Sequence, residues 1–410
     1  MTEKRTLQEI FSEINYEESK VPRHDMLSAL IMNNGQKVAN AWEWMNQRRP
    51  EIMDFYRQEV FGELPSLPGT MSHEVLSCKS DALCDQAIRK EIRITFTQGS
   101  RSRSWIMLLY IPKNAVGPVP VTLGLNFKGN HTTTLEDDVL MTGKNCAGEW
   151  VDPQRGVQCE RWEFAKVIGR GFASATVCYH DIFPDFACDE AWQQSIYSVA
   201  YPDLTPAQLH EKHSAISAWA WGLSRMLDVL SSEAKIDCRK AMVTGHSRLG
   251  KTSLWAGAND SRFQVVVSND SGHGGAALFR RCLGENIEAL VTAFPHWFVS
   301  AFAKYAQADA NLQFDQNFLL ALIAPRPLCI GSATQDLWAD PRGEFLAGKY
   351  ASEVYRLFGV NGMPGDEPPA ADVNIYGEVS YHIRSGAHNI LWQDWEHYLS
   401  VAGKVFEQTI

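Results

Sequence analysis

Short apolar runs alternate with longer segments of helical periodicity from about residue 119 to the end of the chain. The runs are typical of buried strands, and segment 213–230, apolar almost all round, is typical of a helix buried against a sheet. This alternation predicts the α/β class, with a mainly parallel sheet covered by helices on both faces. The predicted strands are 119–127, 173–179, 241–243, 263–268 and 325–330, and the predicted helices are 213–230, 253–258, 345–357 and a last one containing Trp392, Trp395, Tyr398 and Val401.

The chain before residue 119 follows a different pattern. Ile92, Ile94 and Phe96 alternate with polar residues, and 105–111 is continuously apolar and ends at Pro112. Short turns separate these runs, so they predict successive antiparallel strands at one edge of the sheet.

Three segments extend this single predicted domain, which spans residues 1–410. Residues 1–70 predict an N-terminal helical extension, whereas residues 131–165 and 180–210 are irregular and predict insertions near a cleft. The stretch from 358 to 386 is rich in loop-forming residues. Within the extension, four apolar residues recur at helical spacing, namely Ile52, Phe55, Tyr56 and Val60.

The composition argues against several classes of binding partner. The chain has 410 residues, and its 45% hydrophobic content is sufficient for a large core. A net charge of −10 argues against nucleic acid or an anionic membrane as partner, and no run of 18 apolar residues predicts a membrane span. We expect a monomer whose partner is a substrate.

Cysteine and histidine usage predicts neither a disulfide framework nor a metal centre. Nine cysteines occur without C-x-x-C pairs, which favours free thiols, with a single disulfide bridge as the alternative. The twelve histidines are scattered, so we expect no metal and no other cofactor. The first residues contain no apolar signal core, so either the protein stays inside the cell or a signal has been removed.

The strongest chemical signal lies in segment 243–252, where a strand, a sharp turn and a helix follow one another. Ser247 is on the turn, and a serine held there exposes its hydroxyl beside a helix N-terminus, which suits a nucleophile. The pattern is G-x-S-x-x-G rather than G-x-S-x-G, with Arg248 after the serine and Leu249 at the usual glycine position. A tight turn with an incidental serine is the alternative.

The chain order is Ser247, then an acid, then His388, which is the order of nucleophile, acid and base in α/β-hydrolases. Ser247 would attack an acyl carbon, and His388 would take its proton and return it to the leaving alcohol. The acid would fix the tautomer of the imidazole. A structural role for His388 in hydrogen bonding is the alternative.

Several motifs in a fixed order resemble the glucuronoyl esterases, carbohydrate esterase family 15, in their bacterial branch. The resemblance runs from about residue 40 to the end and includes the helix SAISAWAWG from Ser214 and the elbow GHSRLGK around Ser247. The other motifs are SGHGG from Ser271, RRCLGE ending at Glu285, APRP from Ala324, DLWADPRGEF from Asp336, and GAH ending at His388. The resemblance implies an α/β-hydrolase fold and a carboxylic ester hydrolase that cleaves the ester between (4-O-methyl-)glucuronic acid of xylan and an alcohol of lignin.

The resemblance also implies roles for individual residues. Ser247 is the nucleophile and His388 the base, and Arg248 stabilises the oxyanion. Lys251, Glu285 and Trp338 match positions that hold the sugar. Without the resemblance, Lys251 would be read as an exposed helix residue and Glu285 as a loop cap.

Two aspartates are candidates for the acid of the catalytic triad. Family members commonly carry a glutamate after the strand that follows the elbow, where this chain has the shorter Asp270. Asp336 follows the later strand, where most α/β-hydrolases keep their acid, so we favour Asp336. His246 is a second departure, because fungal members have a bridged cysteine before the serine.

Three further interpretations depend on where side chains converge. Arg248, Lys251, Arg280, Arg281 and Arg384 would make the cleft locally positive, or some would be ordinary surface arginines. The loop 126–131 would help to build the oxyanion site, or form a simple turn. The competing functions are an acetyl-xylan or other carbohydrate esterase, and a non-catalytic hydrolase fold that only binds xylan.

Overall fold

One mixed sheet of ten strands organises the computed structural model, which describes residues 5–23, 25–66 and 69–407. Residues 1–4, 24 and 67–68 of the predicted N-terminal extension lie outside the described residues. The strands are β1 Thr70–Asp81, β2 Ala87–Gln98, β3 Arg101–Pro112, β4 Val119–Asn126, β5 Ala173–Cys178, β6 Ile236–His246, β7 Phe263–Asn269, β8 Leu328–Ala333, β9 Asn374–Ile375 and β10 Val379–Arg384.

The sheet has the predicted mixture of parallel and antiparallel pairing. Its strand order is β1-β2-β3-β5-β4-β6-β7-β8-β10-β9. The pairs from β5 to β10 are parallel, whereas β1, β2 and β3 form the expected antiparallel edge and β9 adds a short antiparallel strand at the other side. The carboxyl ends of the parallel strands therefore meet at one edge, where loops can build a site.

Helices cover both faces of this sheet, as the sequence predicts. The long helices are α1 Arg49–Glu59, α2 Ala215–Leu230, α3 Arg248–Asn259, α4 Pro341–Leu357 and α5 Trp392–Glu407. The shorter ones are Leu7–Ser12, Ala41–Glu43, Ala82–Asp85, Phe164–Gly169, Tyr179–Ile182, Asp189–Gln193, Tyr197–Ala200, Pro206–Lys212, Ile287–Ala293 and Gln316–Ala321. None of the helices in the described part of the chain is long and apolar enough to cross a membrane.

Alternate residues of strand β3 enter two different cores. On β3, Met107 and Leu109 belong to the core that includes α1 to α4, whereas Leu108 and Tyr110 join the core under α5 and the Phe164–Gly169 helix. This follows from the two-residue period of a strand, which sends successive side chains to opposite faces. The result is three layers, helix, sheet and helix.

The N-terminal extension packs against the first of these cores. Ile52, Tyr56 and Val60 are buried as their spacing predicts, whereas Phe55 is only partly buried. The phenol of Tyr56 donates to the backbone oxygen of Asp315 at 3.1 Å. The extension is thus joined to the domain by both apolar packing and hydrogen bonds.

Two differences from the prediction concern the end of the chain. The predicted strand 325–330 is displaced to Leu328–Ala333, after Pro325 and Pro327, which cannot donate to a sheet. Strand β10 lies in the stretch predicted to be loops. The hydrophobic pattern did not predict this strand because it carries the buried polar residues His382 and Arg384. Both bind the carboxylate of Asp394 on α5, His382 at 2.7 Å and Arg384 at 3.0 Å.

The 180–210 insertion is also more regular than predicted. It contains the short helices Asp189–Gln193, Tyr197–Ala200 and Pro206–Lys212. Residues 131–165 contribute no strand to the sheet among the residues that the structure describes.

Candidate active site

Ser247 lies on a strained turn between β6 and α3. Its backbone has φ 58° and ψ −130°, a conformation that costs energy for a residue with a side chain and is typical of functional sites. Two glycines permit the turn: a Cβ on Gly245 would be 1.8 Å from the oxygen of Leu249, and one on Gly250 would be 2.9 Å from the Cβ of Ser271. Gly250 therefore allows helix α3 to approach Ser271 closely. Leu249 is tolerated at the position where the usual motif has a glycine.

His388 and Asp336 form a hydrogen-bonded pair. Nδ1 of His388 lies 2.5 Å from Oδ2 of Asp336, whose carboxylate is buried while the imidazole is 40% exposed. Their loops are joined by the N–H of Gln335, which donates to the oxygen of Gly386 at 2.9 Å, and by the N–H of Gly386, which donates to Oγ1 of Thr334 at 3.1 Å. The exposed side of the imidazole is left for a reacting group.

Asp270 is the second carboxyl beside His388. One ligand atom each of Asp270, Asp336 and His388 lie within 4.8 Å of one another. Oδ2 of Asp270 accepts from the N–H of Asn389 at 3.2 Å, and its buried Oδ1 has no hydrogen-bond partner among the described residues. Burial, then the neighbouring carboxyls of Glu344 and Asp336, raise the pKa of Asp270 well above its usual value, which favours its neutral form.

The same three groups have the donor chemistry of a metal site, with two carboxyls and an imidazole. However, the imidazole and the carboxylate of Asp336 are hydrogen-bonded to each other, and the raised pKa of Asp270 favours its neutral form. The arrangement therefore fits an acid–base pair better than a set of metal ligands.

All eight predicted site residues line one cleft of about 420 Å³ at the carboxyl edge of the sheet. Three further aromatic residues of this cleft were not predicted from the sequence, namely Phe11, Phe294 and Trp297. The predicted residues are Ser247, Arg248, Lys251, Asp270, Glu285, Asp336, Trp338 and His388.

Arg248 is held beside the serine by aromatic rings and one buried carboxylate. Its guanidinium lies 4.5 Å from the ring centre of Trp297, and Nη1 donates to the carboxylate of Asp185. That carboxylate also accepts from Tyr179 at 2.7 Å, His296 at 2.7 Å and Trp297 at 2.6 Å. Burial raises the pKa of Asp185, but His296 and Arg248 outweigh it and hold the pKa below its usual value, so the group stays ionised.

The position of Asp185 in the 180–210 insertion gives no hint of this role. A possible signal was the aromatic stretch 294–297, since rings in a loop near a cleft often enclose a charged group.

Lys251 and Glu285 form a buried ion pair in the cleft. Nζ of Lys251 is 3.1 Å from Oε2 of Glu285 and donates to the backbone oxygen of Ser271 at 2.6 Å. The N–H of Glu285 donates to the oxygen of Trp338 at 2.8 Å, and the half-buried Trp338 ring meets Phe11 edge-on at 5.6 Å. The three residues predicted to hold the sugar therefore lie together, with charged groups beside an aromatic surface.

The prediction of a five-residue positive cluster is wrong for three arginines. Arg280 donates to the backbone of Asp25, Arg281 pairs with Asp340 at 2.8 Å, and Arg384 pairs with Asp394. Because an unpaired buried charge is costly, Arg281 and Arg384 are engaged by structural carboxylates. None of the three lines the cleft, so its positive charge comes from Arg248 and Lys251.

Three smaller expectations are also resolved. The loop 126–131 forms a turn, in which the side chain of Asn126 accepts from the N–H of Gly129 at 2.8 Å, and it does not line the cleft. His246 is buried, with its ring 4.4 Å from that of His388. All nine cysteines are free thiols, and the Sγ atoms of Cys146 and Cys188 are 4.0 Å apart.

The fold and the cleft define a serine esterase of the α/β-hydrolase class. A family model described as glucuronyl esterase of fungi matches residues 191–359. Carbohydrate esterase MZ0003, from an unknown prokaryotic organism, is 39% identical over 401 residues, which cover 95% of this chain and 91% of that protein. The chain belongs to the glucuronoyl esterase family, carbohydrate esterase family 15.

Two solved structures agree with this assignment. The glucuronoyl esterase from Solibacter usitatus is 39% identical with a TM-score of 0.87, and the match covers 94% of this chain and 99% of that one. A promiscuous esterase of the same family from a marine bacterial metagenome is 38% identical with a TM-score of 0.86, covering 95% and 99%.

Proposed function

We propose that this chain hydrolyses the ester between (4-O-methyl-)glucuronic acid of glucuronoxylan and an alcohol of lignin. The observation that carries the proposal is the single cleft in which Ser247 and the His388–Asp336 pair lie beside the buried Lys251–Glu285 pair. Curated relatives named 4-O-methyl-glucuronoyl methylesterase support this substrate class.

The reaction proceeds in two halves through an acyl-enzyme. His388 takes the proton of Ser247 as Oγ attacks the ester carbonyl of C6, and it then gives that proton to the departing alcohol. Water, activated by the same imidazole, attacks the acyl-enzyme and releases the uronic acid and free Ser247. Asp336 accepts from Nδ1–H, so the tautomer needed at the exposed nitrogen is fixed and the imidazolium is stabilised.

The oxyanion is stabilised by Arg248 and by the N-terminus of α3. The first N–H groups of a helix have no partner inside it, and the helix dipole adds positive charge there. Nε of Arg248 has no hydrogen-bond partner among the described residues, although its Nη1 is bound to Asp185. The guanidinium is therefore preorganised, and it presents a fixed positive charge to the developing oxyanion.

The sugar is held by the polar pair and the aromatic rings of the cleft. Lys251 and Glu285 offer a donor and an acceptor to the ring hydroxyls, and Trp338 offers its ring to the pyranose. Because these groups already bind each other, they need little reorganisation when the sugar enters. We further propose that the protein acts as a monomer and has no nucleic-acid or membrane partner.

A broader carbohydrate esterase is the second candidate, since one relative is described as promiscuous. Parallel assays with benzyl glucuronate and acetylated xylan separate the two. A preference for acetylated xylan would identify an acetyl-xylan esterase. Intact sugar binding without labelling of Ser247 by a serine-directed phosphonate would identify a non-catalytic binding protein.

The test is hydrolysis of methyl and benzyl glucuronate by the wild-type protein and by Ser247→Ala. We expect the variant to lose at least roughly a thousandfold in kcat, because it lacks the hydroxyl that attacks the ester. Ser261→Ala, on an exposed turn away from the cleft, is the matched control and should retain full activity. Equal activity of Ser247→Ala and wild type would contradict the mechanism.

A further inference from the structure

A second cleft of about 470 Å³ opens beside the catalytic one. Its floor is the start of β3, and its walls are residues 141–150 and 180–184, with Gln194. Strand β3 runs antiparallel to β5, with Leu108 opposite Thr176, so the start of β3 lies at the carboxyl edge of the parallel strands. Both clefts therefore open at the same edge of the sheet.

Two cations of this second cleft lack a carboxylate partner. Neither Arg103 nor Lys144 has a carboxylate oxygen within 4 Å among the described residues, in a chain whose net charge is −10. Arg103 uses Nε to donate to the backbone oxygen of Asp181 at 2.6 Å, and burial lowers its pKa. Burial disfavours the charged form of Arg103, and the nearby carboxyl of Asp181 offsets this only in part, so a bound anion would stabilise the cation.

The other titratable groups of the second cleft do not cancel this charge. Burial raises the pKa of Asp181 to about 6, and its Oδ1 accepts from the N–H of Gly143 at 3.1 Å. Burial also lowers the pKa of His180 to about 4, so this imidazole is neutral near pH 7. With a pKa of about 6, Asp181 is largely ionised near pH 7, so the cleft has two cations against one carboxylate.

An aromatic ring accompanies the cations. Trp150 is 37% exposed, and the ammonium of Lys144 lies 4.6 Å from its ring centre. The indole thereby holds the ammonium at the rim of the cleft through a cation–π contact. A sugar acid has the matching chemistry, because its carboxylate pairs with a cation while the C–H face of its ring packs on an aromatic surface.

We propose that the second cleft is a non-catalytic subsite for a carboxylate-bearing sugar of an oligosaccharide chain. Lys144 and Arg103 bind the carboxylate, and Trp150 contacts the ring. The proposal rests on the proposed function, since an acidic xylan carries the free uronate that this subsite takes while the esterified one occupies the catalytic cleft.

The spacing of the two clefts suits one extended chain. Strands β3 and β6 are three positions apart in the sheet, which corresponds to roughly 14 Å at the usual spacing of strands. One segment separates the clefts: His180 and Pro184 line the second cleft, and Asp185 next to them binds Arg248 of the first. A monosaccharide ester cannot reach both, whereas an oligosaccharide can.

The test measures binding by calorimetry in a Ser247→Ala background, where substrate is not consumed. The probes are a xylo-oligosaccharide carrying 4-O-methylglucuronate and the unsubstituted oligosaccharide of equal length. We expect two binding events for the acidic probe, one of which weakens roughly tenfold in Lys144→Gln and in Trp150→Ala. The matched controls Lys37→Gln and Trp42→Ala alter exposed residues elsewhere and should retain both events.

Two measurements separate this proposal from the proposed function. Hydrolysis of benzyl glucuronate should be unchanged in the Lys144 and Trp150 variants, whereas KM for an acidic xylan ester should rise several-fold. A single binding event, equal binding of the neutral probe, or no effect of either variant would overturn the subsite. Failure of the wild-type protein to hydrolyse benzyl glucuronate would instead overturn the proposed function.

Discussion

The loops after β7 and β8 each bring an aspartate to His388, but they give these side chains different environments. Asp336, after β8, is hydrogen-bonded to Nδ1 of the imidazole at 2.5 Å. Asp270, after β7, adopts φ 44° and has one buried oxygen without a partner among the described residues. The first is placed to accept from the imidazole, whereas burial and neighbouring carboxyls raise the pKa of the second and favour its neutral form.

This difference shows that proximity alone does not make a carboxyl the triad acid. The triad needs an ionised acceptor that fixes the tautomer, and a neutral acid cannot stabilise an imidazolium electrostatically. Arg384 lies 3.9 Å from Asp270, too far for a hydrogen bond, and its strong contacts are to Asp394. We therefore infer that the environment, rather than the residue type, assigns the role.

The largest expected effect is that of Asp336→Asn. The amide cannot hold the catalytic tautomer, so we expect kcat for benzyl glucuronate to fall by about 10⁴-fold. Steady-state kinetics measure this loss, and an unchanged melting temperature would show that the variant folds. A smaller loss than that of Asp270→Asn would reverse the assignment of the two loops.

Much of the fold and of the candidate site was predictable from the sequence itself. The strand–turn–helix pattern predicted the elbow, and the order Ser247, acid, His388 predicted the triad. The family resemblance and the usual position of the acid in α/β-hydrolases then left two candidates for the acid. Apolar periodicity predicted the parallel strands and the flanking helices, because burial on both faces of a sheet leaves a continuous apolar run.

The features that were not predicted from the sequence depend on contacts between residues far apart along the chain. Strand β10 carries His382 and Arg384, whose burial is possible only because Asp394 on α5 meets them. Similarly, the role of Asp185 requires Arg248 and His296, which lie 63 and 111 residues away along the chain. Such partners are set by tertiary packing, which no local pattern records.

A third buried aspartate sharpens the comparison, since the pKa of Asp185 is lowered whereas that of Asp270 is raised. Cationic and N–H donors surround Asp185, so Asp185→Asn should release Arg248 from its position. We expect kcat to fall roughly 10- to 100-fold with little change in KM, because a displaced donor acts mainly on the transition state. An equal fall in kcat and rise in KM would instead indicate a binding role.

The control for Asp185→Asn must exclude unfolding, since this carboxylate is buried. A urea unfolding curve measures the free energy of unfolding of the variant. Arg248→Lys keeps the charge but loses the planar guanidinium, and it should lower kcat in the same way. A fully active Arg248→Lys variant would contradict the positioning role of Asp185.

A small effect is expected for Asp270→Asn, because an amide resembles a neutral carboxylic acid in shape and charge. We expect kcat to change by less than about fivefold near pH 7. If Asp270 were ionised and catalytic, the variant would lose activity as strongly as Asp336→Asn does. A pH profile of kcat/KM would then also lose an acid limb in the variant.

The smallest effect on turnover is expected at Glu344, which joins the two loops. Its Oε1 accepts from the N–H groups of Ser271 and Gly272 at 2.8 and 3.0 Å, and Oε2 is 2.5 Å from Oγ of Ser332. Burial raises the pKa of this carboxyl from 4.5 to about 8, so the folded state holds a proton that the unfolded state releases. Its contribution to stability is therefore complete below about pH 4.5 and is lost as the pH rises towards 8.

Glu344→Gln mimics the protonated acid, so urea unfolding should show a weaker decline in stability between these pH values than the wild type, with kcat at pH 7 nearly unchanged. An identical pH dependence in both proteins would mean that Glu344 is ionised and that the two loops are joined by a charge.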